Sequence, residues 1–288
     1  MSSDQTPIDL LVHPIGELAT ALASGHPLHG AEMSSIVRVK NAALAISGDQ
    51  IVMAGPAEEV LPKVKLTQNG RKIDASGRLV IPGLVDPHTH LVFGGNRANE
   101  FSMRCQGKSY QEIAKAGGGI VASMTATRAA SLETLVESGK KRLQKMLAAG
   151  TTSCEIKTGY GLSTESELKM LEAILQLQAT EPLDITATFM PAHAFPPGVE
   201  RHQYVRSIID DMLPKAAQLI RTAGETTSKE PHDATEAQAP REKSKTVFQD
   251  VFCDEGYFTL NDTRQILEAG IGHGFLPKVH ADEFANLG

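Results

Sequence analysis

Between Ser34 and Pro82 the apolar residues fall into short, alternating runs. Ile36, Val37 and Val39, then Ala42, Leu44 and Ile46, then Ile51 and Val52 are β-type runs split by Gly48, Asp49 and Gly55. Ile73 lies in another such run, and Gly77 separates it from Leu79, Val80 and Ile81, which Pro82 and Gly83 close. The pattern predicts a small all-β module. Residues 1–33 are mixed and weakly periodic, and no element is assigned to them.

From Leu84 the rhythm changes to strand, helix, strand. The stretch LVDPHTHLVF (84–93) reads as the start of a buried strand. Ser109 and Glu112 have capping-box spacing and open a predicted helix over SYQEIAKA, which Gly117, Gly118 and Gly119 end. A helix over Leu132 to Leu147 leads through Gly150 to the strand TTSCEIK. Thr164 and Glu167 are placed as caps of the next helix, with Leu168, Leu171 and Leu175 on one face. Strand DITATFM, a helix around Val205 to Leu219, strand QDVFCD, a helix around Thr263 to Ala269 and strand KVHAD follow. Strands separated by helices imply right-handed βαβ units and a parallel sheet, open or closed into a barrel. Thr222 to Thr246 holds no Val, Ile, Leu, Met, Cys or aromatic residue. Such a segment cannot bury enough apolar surface to offset its ordering entropy, so residues 222–246 are expected to be a disordered insertion.

Composition narrows the class. The 288 residues are 41% hydrophobic and 22% charged with a net charge of -6, as in an ordinary soluble globular protein. Mild acidity argues against a nucleic-acid partner, which would need concentrated Lys and Arg. The start MSSDQTPIDLL has neither the basic nor the apolar part of a signal peptide. No apolar run approaches the ~18 residues of a membrane span, so no membrane partner is expected. Cys105, Cys154 and Cys253 are far apart and odd in number, which points to a reduced cytoplasm.

Candidate chemistry centres on Asp86-Pro87-His88-Thr89-His90. On a strand, residues i and i+2 share a face, so His88 and His90 would present two imidazoles together, a set suited to zinc or iron. Spacing alone leaves two unrelated histidines equally open. His280 ends a later strand, where a barrel would aim it at the same mouth, and by itself it reads equally as a packed or surface histidine. Glu283 is placed to take a substrate N–H or move a proton, against the plainer reading of an exposed charge. His193, in MPAHAFPP, follows a strand and is either a site residue or a loop histidine bonded to backbone. Arg97, in FGGNRANE, would grip a carboxylate with two parallel hydrogen bonds unless it is simply solvated. Tyr160, between two glycines in KTGYGL, meets a ligand or covers the barrel mouth. Lys157 is a bridging lysine of a two-metal site or, more plainly, a solvated or ion-paired one. Gly117 to Gly119 is no phosphate loop, and Ser153-Cys154 is no nucleophile elbow.

Taken together, PGLVDPHTHLVFGGNRANEF, QGKSYQEIAKAGGGI, ATRAAS, EIKTGYGLSTESELKML, PAHAFPP, DVFCDEGYF and PKVHADEF resemble the imidazolonepropionase family of the amidohydrolase superfamily. The resemblance implies an α/β fold: a metal-dependent (β/α)8 TIM barrel over residues 83–288, preceded by an N-terminal β-sandwich part over residues 1–82. It implies hydrolysis of 4-imidazolone-5-propanoate to N-formimidoyl-L-glutamate in histidine degradation. His88, His90 and His280 would hold one divalent ion, zinc or iron, and Arg97 would bind the propionate carboxylate. Tyr160, His193 and Glu283 would line the substrate, with Glu283 and His193 catalytic. The expected partner is the small-molecule substrate, with a homodimer left open. Two alternatives stand beside this reading: another amidohydrolase acting on a cyclic amide or amidine, and a truncated, non-catalytic product. A (β/α)8 barrel usually takes about 250 residues. From Leu84 to the end there are 205, and only five barrel strands are read in them. The family's remaining strands, with an aspartate ligand and a further histidine, have no counterpart in this sequence, which therefore predicts a longer protein.

Overall fold

Residues 5–22, 24–109, 112, 118–227 and 246–287 are described by the computed structural model. The chain divides into two units, one reaching Gly83 and the other beginning at Leu84.

The first unit is built on a single four-stranded sheet among the described residues. Strand β1 (Thr6–Ala21) runs antiparallel to β2 (Ile36–Ser47), which pairs with β3 (Gln50–Pro56), and parallel to β4 (Val64–Val80). The order is β3-β2-β1-β4. The long β1 is the element that the hydrophobic pattern missed. Its buried residues are Ile8, Leu11, Val12 and Ile15, a spacing that no single alternation produces. The register against β2 shifts between Val12 and Ile15, and against β4 it shifts between Ile8 and Leu10. Each shift resets which face the following side chains occupy, so the period of two is lost although the strand continues. On β2 the alternation is intact. Ala43 and Ala45 pack with Ile8, Leu11 and Val64 on one face, and Ala42 packs with Val12, Ile15 and Ala75 on the other. A short helix, α1 (Ala57–Val60), adds Val60 to the first cluster.

The second unit alternates strands and helices as predicted. Strands β5 (Leu84–Asp86), β6 (Thr151–Lys157), β7 (Asp184–Ala192) and β8 (Val247–Cys253) lie side by side and parallel. The fifth position is a broken strand, β9 (Leu276–Pro277) and β10 (His280–Ala281), both parallel to β8. Between them run α2 (Ala98–Cys105), α3 (Ile120–Ala129), α4 (Leu132–Ala148), α5 (Thr164–Thr180), α6 (Arg201–Ser207), α7 (Leu213–Thr227) and α8 (Leu260–Gly272). A π turn at Ile208–Met212 joins α6 to α7, where the sequence predicts one helix. The core is formed by Ile156, Ala187, Phe189 and Val251 from the strands, with Leu135 and Leu143 of α4 and Ile266 of α8. Helix α5 contributes Met170, Leu171, Ile174 and Leu177, all fully buried, so its inner face is centred beside the predicted Leu168–Leu175 stripe. Two thiols, Cys154 and Cys253, are buried in strands, and Cys105 on α2 is exposed. Burial raises the Cys154 thiol to about 11, and the nearby Asp86 charge adds to this.

Three expectations are corrected or left open. Leu84 and Val85 do not start a buried strand: they are 50% and 68% exposed because β5 pairs only with β6 and forms an edge of the sheet. Helix α7 continues to Thr227, into the stretch read as a disordered insertion, while residues 228–245 lie outside the described residues. The Ser109–Glu112 capping box is present, with Ser109 N donating to the Glu112 carboxylate and Glu112 N to Ser109 Oγ, but most of the stretch predicted to be a helix after it lies outside the described residues. No described helix is long and apolar enough to cross a membrane.

Candidate functional site

The strands of the second unit end at a group of four histidines. Past Asp86 the chain leaves β5 but stays zipped to β6: Thr89 Oγ1 donates to Glu155 O at 2.6 Å, and Lys157 N donates to Thr89 O at 2.8 Å. Thr89 is thereby turned toward β6, and His88 and His90 on either side are brought together, with ring centroids 6.1 Å apart. The i, i+2 logic thus holds in an extended segment beyond the strand itself.

Hydrogen bonds fix the nitrogen that each ring offers. His90 Nδ1 donates to Thr158 O at 2.7 Å, and His193 Nδ1 donates to Gly159 O at 2.9 Å. A carbonyl can only accept, so both rings carry the proton on Nδ1 and keep Nε2 as a lone pair. His280 Nδ1 lies 2.9 Å from Asp250 Oδ2, which sets the same tautomer. Its Nε2 meets His88 Nε2 at 2.9 Å. The His90 and His193 rings stack with centroids 4.3 Å apart, and Tyr160 closes over both at 5.2 and 5.4 Å. Burial holds His90 well below the ordinary histidine range and brings His193 to about 4. Burial also lowers His88, and the neighbouring His280 lowers it further. Neutral imidazoles at neutral pH follow, the form in which histidine binds metals.

Beneath the histidines lies an ion network with little signal in the sequence. Lys157 Nζ is 2.6 Å from Asp250 Oδ2 and 2.9 Å from Glu155 Oε2, and Lys278 Nζ is 2.6 Å from Glu155 Oε1. Thr188 Oγ1 also donates to Glu155. Burial pushes the Asp250 carboxyl up, but His280 and Lys157 together bring it down to about 2. Lys157 is therefore the ion-paired lysine of the plainer reading. The one clue to this network was charge inside apolar strands: Glu155 and Lys157 in TTSCEIK, and Asp250 in QDVFCD.

The remaining candidates sit on loops tied down by carboxylates. Arg97 immediately precedes α2, and its Nε and Nη2 donate to Glu100 Oε2 at 3.0 and 2.8 Å, while Glu100 Oε1 accepts Gly119 N. Burial raises the Tyr160 phenol, and the charge of Arg97 opposes that. The Glu283 side chain is exposed, but its backbone is clamped. Asp254 Oδ2 accepts Glu283 N and Phe284 N at 2.9 Å each, and Oδ1 accepts Ala285 N at 3.1 Å. Glu167 does not cap α5 as expected: Ser163 does, accepting from Ser166 N, and the Glu167 carboxylate turns back to the loop before the helix. The structure thus brings His88, His90, His193, His280 and Tyr160 together, whereas the Glu283 side chain is exposed. Among the described residues, no three or more His, Cys, Asp or Glu side chains are already gathered at metal-site geometry. The donor chemistry nonetheless fits a divalent ion: His90 and His280 each present Nε2 with Nδ1 committed elsewhere, and His88 Nε2 faces that of His280.

Comparison with known proteins agrees with this picture. The profile of the Amidohydrolase family matches residues 71–128. The chain is 43% identical over 284 residues to an imidazolonepropionase of Symbiobacterium thermophilum and 40% identical over 283 residues to one of Alkaliphilus oremlandii. Each match covers 98% of this chain and 61% of the relative, so the chain spans about three-fifths of the length of these curated relatives. In structure it is similar to guanine deaminase from E. coli, with TM-score 0.56, 12% identity, and coverage of 93% of this chain and 51% of that one. It is also similar to atrazine chlorohydrolase from Arthrobacter aurescens solved with zinc, with TM-score 0.50, 14% identity, and coverage of 96% and 53%. Over 98% of its length the chain is similar in sequence to these imidazolonepropionases, and its second unit carries five strands of a TIM-barrel fold.

Proposed function

We propose that the protein hydrolyses 4-imidazolone-5-propanoate to N-formimidoyl-L-glutamate, using one divalent ion, zinc or iron, held by His88, His90 and His280. The observation that carries this reading is the His88–His280 pair, with Nε2 atoms facing each other at 2.9 Å and Asp250 behind His280. It is joined to a sequence about 40% identical to imidazolonepropionases over 98% of the chain. The zinc held by the structurally similar atrazine chlorohydrolase supports zinc as the first metal to try. Residues 1–82 and 83–288 are read as two domains, and every residue of the site belongs to the second.

In the reaction, the hydroxyl of water adds to the ring carbonyl carbon, the C–N bond breaks, and the departing nitrogen takes up the proton. When bound, the ion supplies Lewis acidity toward a carbonyl and acidifies water toward a pKa of ~7. Arg97, oriented by Glu100, binds the propionate carboxylate through its guanidinium. Tyr160 and His193 flank the ring, and the neutral His193 offers Nε2 as a proton acceptor. Glu283, on the loop that Asp254 clamps, carries the proton from water to the leaving nitrogen.

Turnover of imidazolone propionate by zinc-loaded and iron-loaded protein tests the proposal. His88→Ala is expected to abolish both metal retention and activity. Undiminished turnover by metal-free His88→Ala protein overturns the assignment.

A further inference from the structure

Glu167 is fully buried in the first turn of α5, with 0% of its surface exposed. Burial raises its carboxyl, and an interior carboxylate is costly unless several donors satisfy it. Here the donors are three backbone amides of the turn between β6 and α5. Gly159 N donates to Oε2 at 3.0 Å, while Gly161 N and Leu162 N donate to Oε1 at 2.7 and 2.8 Å. The Thr158 side chain bonds it as well. The helix itself does not require this carboxylate, because Ser163 already caps it.

While the amides of this turn converge on Glu167, its carbonyls point outward to other groups. Thr158 O receives His90 Nδ1, Gly159 O receives His193 Nδ1, and Gly161 O and Leu162 O receive the Arg128 guanidinium at 2.7 and 2.8 Å. Tyr160 sits in the middle. The turn has no slack. Gly159 has φ +112°, and a Cβ there would lie 2.9 Å from the His193 ring; a Cβ on Gly161 would lie 2.6 Å from Glu167 N.

We infer that Glu167 is a positioning residue for the reaction, pinning one turn that sets the tautomers of His90 and His193 and the placement of Tyr160. The inference rests on the function proposed above in naming a reaction, but its geometry does not depend on it. Gln at this position keeps the volume but turns an NH2 toward amides that can only donate. Asp keeps the charge but is one methylene short.

The test is amide hydrogen exchange together with 15N imidazole spectra on Glu167→Gln and Glu167→Asp protein. In Glu167→Gln the amides of Gly159, Gly161 and Leu162 are expected to exchange at least about tenfold faster, as loss of one hydrogen bond to a charged group implies. The amides of β7 should keep their rates, and His90 and His193 should lose their single Nδ1–H tautomer. Glu167→Asp should fall between, and it carries the test if the Gln variant does not fold. Where imidazolone propionate is turned over, kcat/KM should fall by a similar factor. Unchanged turn amides, or acceleration shared equally with β7, overturns the inference. If the unaltered protein lacks turnover, the functional reading fails, while exchange and tautomer spectra still decide the role of Glu167.

Discussion

At the scale of single residues, the histidines were readable because their chemistry is rare and their spacing carries geometry. His88 and His90 announce themselves two apart, and His280 gains meaning from a predicted strand end. The carboxylates that orient the site were not readable in this way. Asp250 meets Lys157 across 93 positions of sequence, and only the sheet order brings the two strands near each other. Glu167 looked like a helix cap because the cap and the loop tether place the same residue type at the same spacing. Asp250 also makes the sharpest prediction at this scale. Removing one partner of a buried ion pair costs about 3–5 kcal/mol, because the survivor stays charged without compensation. Asp250→Ala strips one carboxylate from Lys157 and the tautomer-setting partner from His280. Urea unfolding should show a loss near the low end of that range, since Glu155 still faces Lys157 at 2.9 Å. A change smaller than about 1 kcal/mol would mean that Asp250 is effectively solvated.

At the scale of elements, the second unit was legible and the start of the first was not. Strands β6, β7 and β8 are short buried runs between helical periods, so pattern and structure coincide. Strand β1 failed because its register shifts break the alternation that sequence reading depends on. Loop conformation was also hidden, since it rests on carboxylate-to-amide bonds that no propensity records. The Asp254 clamp gives this a pH signature. The amides of Phe284, Glu255, Glu283 and Ala285 hold its carboxyl below the usual range against the effect of burial. Because the folded value is depressed, the stabilisation is present above the unfolded value of about 3.9 and is lost as pH falls through the folded one. Exchange at residues 283–285, corrected for intrinsic acid dependence, should therefore accelerate below about pH 4. Asp254→Asn protein should show fast exchange at every pH. A flat corrected profile in the unaltered protein would contradict the clamp.

At the scale of the whole molecule, the core of the second unit places its thiols very unevenly. Cys154 and Cys253 lie inside strands that meet the histidine network, whereas Cys105 sits on the surface of α2. A thiolate is the reactive species, and a group raised to about 11 has almost none at neutral pH. A colourless alkylating reagent added to native protein should therefore be consumed in one fast equivalent. The other two equivalents should follow only as quickly as the strands come apart. Mass spectrometry of the partially labelled protein then turns two buried sulfur atoms into a clock for opening of the barrel strands, read without any substrate. If three equivalents react at one rate, the strands around Cys154 open as readily as the surface helix.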